Sequence, residues 1–410
     1  MYDATIHLGT IARQFQKADF VDDPDLLDDA YRLRFIERAV SIGQVGFKAL
    51  TLTKSLLRGK TVYQLSDLAE LLVLRHLTSN IRRVTGVRQD NRPFIVDCIR
   101  SLMREGTPFR VYKYDIKEFY ESVVISDIIS HLHDDVAFSG QAVRTLASFF
   151  EQLENNGVSG LPRGLALSAT LAEYLMRSFD YKLSRYKCVQ YFSRFVDDII
   201  IVTNFETPAN KIHEAASNAL PSGLSFNSKS KSMVYKPFEK KNTSVDEGDF
   251  EFLGYRFAVS QAHRLDQSIA RTVRVDMAAS KVRRIKTRLI HAVLQYRRDN
   301  NFTDLLSRCR LLTGNFRMID RKAGSYRLSG IYFSYPLIDI DGSESMKELD
   351  EFIRKLVSSP HSRNALRPNL SRSQQIELMR LTFRSGFKNK RFYHFRPKRL
   401  AELRACWAYA

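Results

Sequence analysis

Two kinds of hydrophobic spacing alternate along the chain. Phe109-Arg110-Val111-Tyr112-Lys113-Tyr114 is rich in β-branched and aromatic residues, reads as a strand, and ends at Asp115. A second pair of such runs, Cys188 to Arg194 and Ile199-Ile200-Ile201-Val202, flanks Phe195-Val196-Asp197-Asp198. That arrangement predicts a hairpin with carboxylates at its tip. Other stretches carry the helical period. Leu65, Leu68, Leu71 and Leu72 fall on one helical face, within residues 31–108 that read mainly as helix. Two further helices are predicted over 126–136 and 142–156. Ile212, Ala215, Ala216, Ala219 and Leu220 mark another, which Gly223 closes as a helix C-cap. From 266 onward the chain reads as helical. The fold class that follows is α+β.

Composition adds a partner and a compartment. With 410 residues and 44% hydrophobic content, the chain is long enough for two or three domains with a real core. No apolar stretch reaches membrane-spanning length, and the N-terminus lacks the basic and apolar segments of a signal peptide. The net charge of +19 points to a polyanion, most often nucleic acid. No lipidation motif sits beside a basic amphipathic segment, so a membrane partner is not expected. Cys98, Cys188, Cys309 and Cys406 are scattered and form no C-x-x-C pair, as expected of reduced thiols in a cytoplasmic protein.

Charge is unevenly distributed. The first 30 residues hold seven Asp against Arg13 and Lys17, and Asp22 to Asp29 reads as a helix opening. Residues 271–310 hold eleven Lys/Arg against three Asp. Residues 380–410 hold nine Lys/Arg against Glu402, interleaved with Phe383, Phe387, Phe392, Tyr393 and Phe395. Aromatics among cations suit single-stranded RNA, and equally a C-terminal helix docked by its rings. Arg82, Arg83, Arg88 and Arg92 are candidates for a triphosphate or a template backbone. His131 and Asp135 share a helical face but have no further ligand, so a surface helix end is the expectation.

The chemistry rests on the acids. Two strand-end carboxylates side by side, Asp115 and the Asp197-Asp198 pair, can hold paired Mg²⁺ ions for phosphoryl transfer. Around them stands an ordered series: Asp115-Ile116-Lys117-Glu118-Phe119-Tyr120, Gly160-Leu161-Pro162-Arg163-Gly164, Ser168 to Glu173, Tyr191 to Asp198, and Phe250-Glu251-Phe252-Leu253-Gly254-Tyr255. This order and spacing resemble motifs A to E of reverse transcriptases, over about residues 60–260. The "LPRG…S…LAE" form resembles the bacterial abortive-infection and defence-associated group, and within it the smaller enzyme of the type that encodes two reverse transcriptases.

The resemblance implies a right-hand polymerase: N-terminal region and helical fingers over 1–108, an RRM-like antiparallel palm over 109–260, and a basic helical thumb and C-terminal RNA- or DNA-binding region over 261–410. It implies Asp115, Asp197 and Asp198 as catalytic acids on two Mg²⁺, with the Ile116 carbonyl completing one metal shell. Tyr120 stands at the family's steric-gate position, which implies deoxynucleotide preference, while Phe119 reads as core. Arg163 replaces the commoner Gln and could reach a phosphate or the template, and Gly160 and Gly164 let backbone approach the nucleotide. Arg194 is expected to pair within the palm. Of Lys229 and Lys231, Lys231 is preferred as the lysine near the leaving pyrophosphate. The Phe252-Leu253-Gly254 turn would grip the primer end. The implied function is RNA-directed DNA synthesis from dNTPs, giving cDNA on a dedicated non-coding RNA in antiphage defence, with a second reverse transcriptase or a further copy of the chain as possible partner. Protein-primed or untemplated synthesis at the same site is a second reading, and a non-catalytic RNA-binding, maturase-like subunit a third.

Overall fold

The computed structural model describes residues 4–57, 59–135, 137–227, 231–237, 239, 246–265, 268–320, 325–358 and 369–407. Helices and antiparallel strands alternate throughout, as an α+β chain should. The chain divides into two compact units, residues 1–90 with 109–234, and residues 91–108 with 235–410.

The first unit is built on a four-stranded sheet in which Asp198–Asn204 lies between Val189–Phe195 and Phe109–Asp115, with Lys231–Tyr235 on the far edge. Ile199, Ile200, Ile201 and Val202 are all buried, which is why this run carries no polar alternation: a central strand covered on both faces selects apolar residues at every position. Helices Leu68–Thr85, Gly140–Asn155 and Ala166–Ser184 contribute Leu72, Phe149, Leu171 and Phe179 to the same core. The helices expected over 126–136 and 142–156 are Ile125–Asp134 and Gly140–Asn155. The acidic run near the N-terminus caps helices as expected. Asp23 accepts from the Asp25 amide at the head of a short 3₁₀ turn, and Asp28 accepts from Tyr31 N at 2.7 Å at the head of Asp29–Val45.

Three readings are corrected. Leu52–Leu57 and Lys60–Leu65 pair as antiparallel strands and are not helix. Leu65 ends the second strand, and the helix begins only after Asp67, whose carboxylate accepts from Glu70 N at 3.0 Å. Gly223 is not a cap: helix Ala209–Ala219 stops at Leu220, and Gly223 turns the following loop at φ 77°. A Cβ there would stand 2.7 Å from the Ser122 carbonyl, so glycine is required by a close approach rather than by a helix end. Beyond 266 the chain is not purely helical, because strands Ser268–Ala270, Val273–Met277, Asn315–Asp320 and Ser325–Gly330 interrupt it.

In the second unit, Val273–Met277, Tyr255–Ser260 and Asp246–Phe252 form a three-stranded sheet. Its hairpin turns tightly through Leu253 and Gly254, both at positive φ. Helices Ala279–Asp299, Phe302–Thr313 and Glu344–Ser358 follow. Phe383 and Phe387 are buried, so these two rings of the C-terminal stretch dock the short helix Phe383–Lys388 into the unit. No described helix is long and apolar enough to cross a membrane.

Candidate active site

The acidic tip is where the sequence placed it. Strands Val189–Phe195 and Asp198–Asn204 pair as a hairpin with Phe195 opposite Asp198, leaving Val196 and Asp197 as the two-residue loop. Val196 has φ 62°, a costly conformation for a β-branched residue, and one that such loops ordinarily give to glycine. On the other side of the central strand, Asp115 is the direct partner of Asp198. Register therefore brings the end of one strand to the tip of the other. The Ile116 amide donates to the Asp197 carbonyl at 3.3 Å, and the Asn227 amide donates to the Asp115 carbonyl at 2.7 Å. The Asn227 side chain reaches the Asp115 carboxylate at 3.4 Å.

Burial pushes the Asp197 carboxyl above the usual carboxylate range, and the charge of Asp115 pushes it further. Two like charges held this close, one of them partly desolvated, fit a bound divalent cation, which removes both penalties. Among the described residues no three His, Cys, Asp or Glu side chains close around one point. The arrangement is thus an acid pair, Asp115 and Asp197, with Asp198 directly opposite Asp115 in the strand register.

Arg194 fixes the tip. Its buried guanidinium meets Asp180 at 2.8 Å, Glu173 at 2.5 Å and the Val196 carbonyl at 3.1 Å. Glu173 and Asp180 are two turns apart on helix Ala166–Ser184 and so face the same way. Removing one partner of such a buried cluster typically costs about 3–5 kcal/mol, because a charge is left unpaired. The expected palm ion pair of Arg194 is present; its partners could have been found from their seven-residue spacing.

Arg163 is engaged on two sides. It forms a bidentate pair with Glu121 at 2.6 and 2.9 Å, and its guanidinium lies 5.0 Å from the Tyr120 ring centre. The pair holds Glu121 below the usual carboxylate range. Tyr120 is half-buried, with its phenol pushed up by burial first and by the charge of Glu173 second. Phe119 is core, as expected. Gly160 and Gly164 permit close approaches to the chain's own backbone: a Cβ would stand 2.5 Å from the Tyr120 carbonyl at the first and 2.6 Å from the Tyr63 carbonyl at the second. Hydrogen bonds follow the same seams, from Leu161 N to the Tyr120 carbonyl at 2.8 Å and from Tyr63 N to the Arg163 carbonyl at 2.7 Å. The strand pair missed in the sequence therefore buttresses the loop that carries Arg163.

A cavity of about 390 Å³ adjoins this group, lined by Tyr120, Val196, Thr170, Glu173, Arg82 and Arg88. Arg82 donates to Thr170 Oγ1 at 2.8 Å. Neither this cavity nor a larger groove of about 1010 Å³, between helices Ile125–Asp134 and Gly140–Asn155, is lined by any of the three acids; the smaller one reaches the acidic tip through Val196. Arg83 does not line the smaller cavity. Arg92 belongs to the second unit, donates to the Leu253 carbonyl at 2.8 Å and stacks between Tyr255 and Tyr335 at 5.3 and 5.5 Å. It braces the Phe252-Leu253-Gly254 turn. Lys231 begins the edge strand Lys231–Tyr235, its side chain lying outside the described structure, and Lys229 lies outside the described residues. His131 sits in the last turn of its helix and Asp135 at the C-cap.

Residues 60–257 match the family model of the reverse transcriptases (RNA-dependent DNA polymerases). No curated protein matches the chain. The acids, Tyr120, Arg163 and the Leu253-Gly254 turn all fall inside the matched span. The chain carries a reverse transcriptase domain, and its activity class is that of an RNA-directed DNA polymerase, a nucleotidyltransferase. Such domains generally work with divalent metal ions on nucleotides and a nucleic-acid template.

Proposed function

We propose that the chain makes cDNA by two-metal nucleotidyl transfer, with Asp115, Asp197 and Asp198 as the acids and a dedicated RNA as template. The observation that carries this reading is the register: Asp115 opposite Asp198, and Asp197 close enough to feel the charge of Asp115. Bound Mg²⁺ would stabilise the charge that builds on the attacking oxygen and the leaving pyrophosphate. The chain's own part is to hold the acids still, through the hairpin and the Arg194 cluster, and to position the nucleotide. Tyr120 lines the adjoining cavity with Arg82 and Arg88, so a ribose facing Tyr120 and a triphosphate facing the arginines suit its lining. Tyr120 then excludes a 2′-hydroxyl, and the Ile116 carbonyl and Lys231 serve the triphosphate-bound metal and the leaving group.

In this reading residues 1–108 carry the fingers, 109–260 the palm and 261–410 the thumb and C-terminal nucleic-acid region. The motif B form supports a place among the defence-associated enzymes acting on a non-coding RNA. Untemplated or protein-primed synthesis is what the resemblance to the abortive-infection group allows; Arg163, the departure from the commoner Gln, pairs with Glu121, and no observation favours that reading over the templated one.

The test is to purify the protein without nuclease, sequence the bound nucleic acid, and supply labelled dNTPs with Mg²⁺. DNA complementary to a co-purified RNA, abolished by Asp197→Ala with Asp198→Ala while the fold is kept, is the expected result. Incorporation that survives the double substitution removes the acids from the mechanism. Product unrelated to any RNA present overturns the templated reading.

A further inference from the structure

The ribbon formed by Asn315–Asp320 and Ser325–Gly330 is firmly anchored at one end and open along one face. At its base, Asn315 N donates to the Arg391 carbonyl at 2.9 Å, Tyr393 N donates to the Asn315 carbonyl at 2.7 Å, and the Asn315 amide group reaches Arg391 again at 3.1 Å. Phe392 thus forms a single parallel bridge to Asn315. Gly386 packs so tightly against the Thr313 carbonyl that a Cβ would stand 1.7 Å away. The base cannot shift without disturbing the unit's core.

Arg317 pairs with Leu328 and Ile319 with Tyr326, so these four share a face. That face is not used by the core: Tyr326 is 68% exposed, Ile319 47% and Leu328 43%. The Arg317 guanidinium lies 5.9 Å from the Tyr326 ring centre and 5.9 Å from that of Phe392. Phe392 in turn meets His394 at 5.1 Å. A cation between two rings, extended by a third, is an unusual thing to leave in water on a ribbon anchored at its base.

We propose that this face is a stacking platform for single-stranded nucleic acid, with Tyr326 taking an unpaired base and Arg317, backed by Phe392, a phosphate or a base plane. Exposed flat rings accept the π-face of any unpaired base, which a duplex does not offer. The charge favours nucleic acid over a protein partner, since residues 380–410 hold nine Lys/Arg and one acid. The platform is additional to the acid site and does not depend on it.

The test uses the full chain without dNTPs or Mg²⁺, so its outcome is independent of catalysis. Fluorescence anisotropy would follow a labelled oligouridylate and an RNA hairpin of equal length. Tyr326→Ala should weaken the single strand about tenfold and leave the hairpin unchanged, with Tyr326→Phe retaining wild-type affinity. Arg317→Ala should weaken the single strand as well. Unchanged single-strand affinity in Tyr326→Ala overturns the proposal, as does an equal loss for both probes. If light scattering shows that Tyr326→Ala dissociates an oligomer while affinity stays constant, the face is a protein interface and the proposal fails.

Discussion

Tyr120 is held on three sides by identifiable forces. Arg163 lies over its ring, Glu121 fixes Arg163 with two charge-assisted hydrogen bonds, and the Gly160 loop bonds to its carbonyl. A ring held this way can act as a steric gate, because a clash discriminates only if the clashing group cannot move. One extra or missing group in a pocket is worth about 1–3 kcal/mol, or roughly 10- to 200-fold, and a rigid clash reaches the upper part of that range. Tyr120→Ala is therefore expected to narrow the preference for dNTP over rNTP by on the order of a hundredfold in kcat/KM. Tyr120→Phe should leave it intact, and Glu121→Gln, which loosens Arg163, should narrow it by an intermediate factor. Competitive single-nucleotide incorporation measures all three. A ratio that does not move in Tyr120→Ala makes the residue a packing aromatic and nothing more. Tyr120 was singled out by the resemblance, which puts the family's gate five residues after Asp115. The brace was not, because Glu121 and Arg163 are 42 residues apart and meet only through the fold.

At the scale of elements, the same distinction recurs between local and tertiary signals. The strand ending at Asp115 and the acidic hairpin were readable because a β-rich run and its turn are contiguous. The strands Leu52–Leu57 and Lys60–Leu65 were not, since the first is almost wholly exposed and their apolar positions blend into the helical period that follows. The helix Phe383–Lys388 offers a quantitative case. Asp350, buried on helix Glu344–Ser358, accepts from Phe383 N at 2.5 Å and Arg384 N at 3.4 Å at the head of that helix. Burial outweighs these bonds and raises its carboxyl above the usual range. The folded state thus holds this proton more tightly than the unfolded chain does. The resulting stability is present in full below the unfolded value of about 3.9 and is lost as pH rises through the raised folded value. Asp350→Asn keeps an acceptor without ionising. It should melt at or above wild type at neutral pH, with the gap closing in acid. Asp350→Ala loses the acceptor and should fall about 1 kcal/mol below Asp350→Asn. Urea melts of the three proteins between acid and neutral pH decide this. An Asn variant weaker than wild type at neutral pH would show that the charge, not the hydrogen bond, holds the helix.

For the whole molecule, net charge indicates a polyanionic partner but does not say which cations meet it. Arg194, Arg163 and Arg92 are engaged within their own units, with carboxylates, a backbone carbonyl or aromatic rings. Composition cannot distinguish a cation spent on structure from one left for a ligand. Even so, 64 Lys and Arg stand against 45 Asp and Glu, and internal pairing removes charge of both signs together, so the excess of 19 remains for outside partners. Binding of RNA or DNA should consequently be driven by counterion release, with log affinity falling linearly against log salt. If six or more phosphates are contacted, affinity should drop on the order of a thousandfold between about 50 and 200 mM salt. Filter binding across that range, with Mg²⁺ omitted, gives the slope. Asp197→Asn with Asp198→Asn should not reduce it, since neither acid binds phosphate without a metal. A flat dependence would mean that the positive charge serves solubility or a protein partner, and that recognition of nucleic acid rests on stacking and shape.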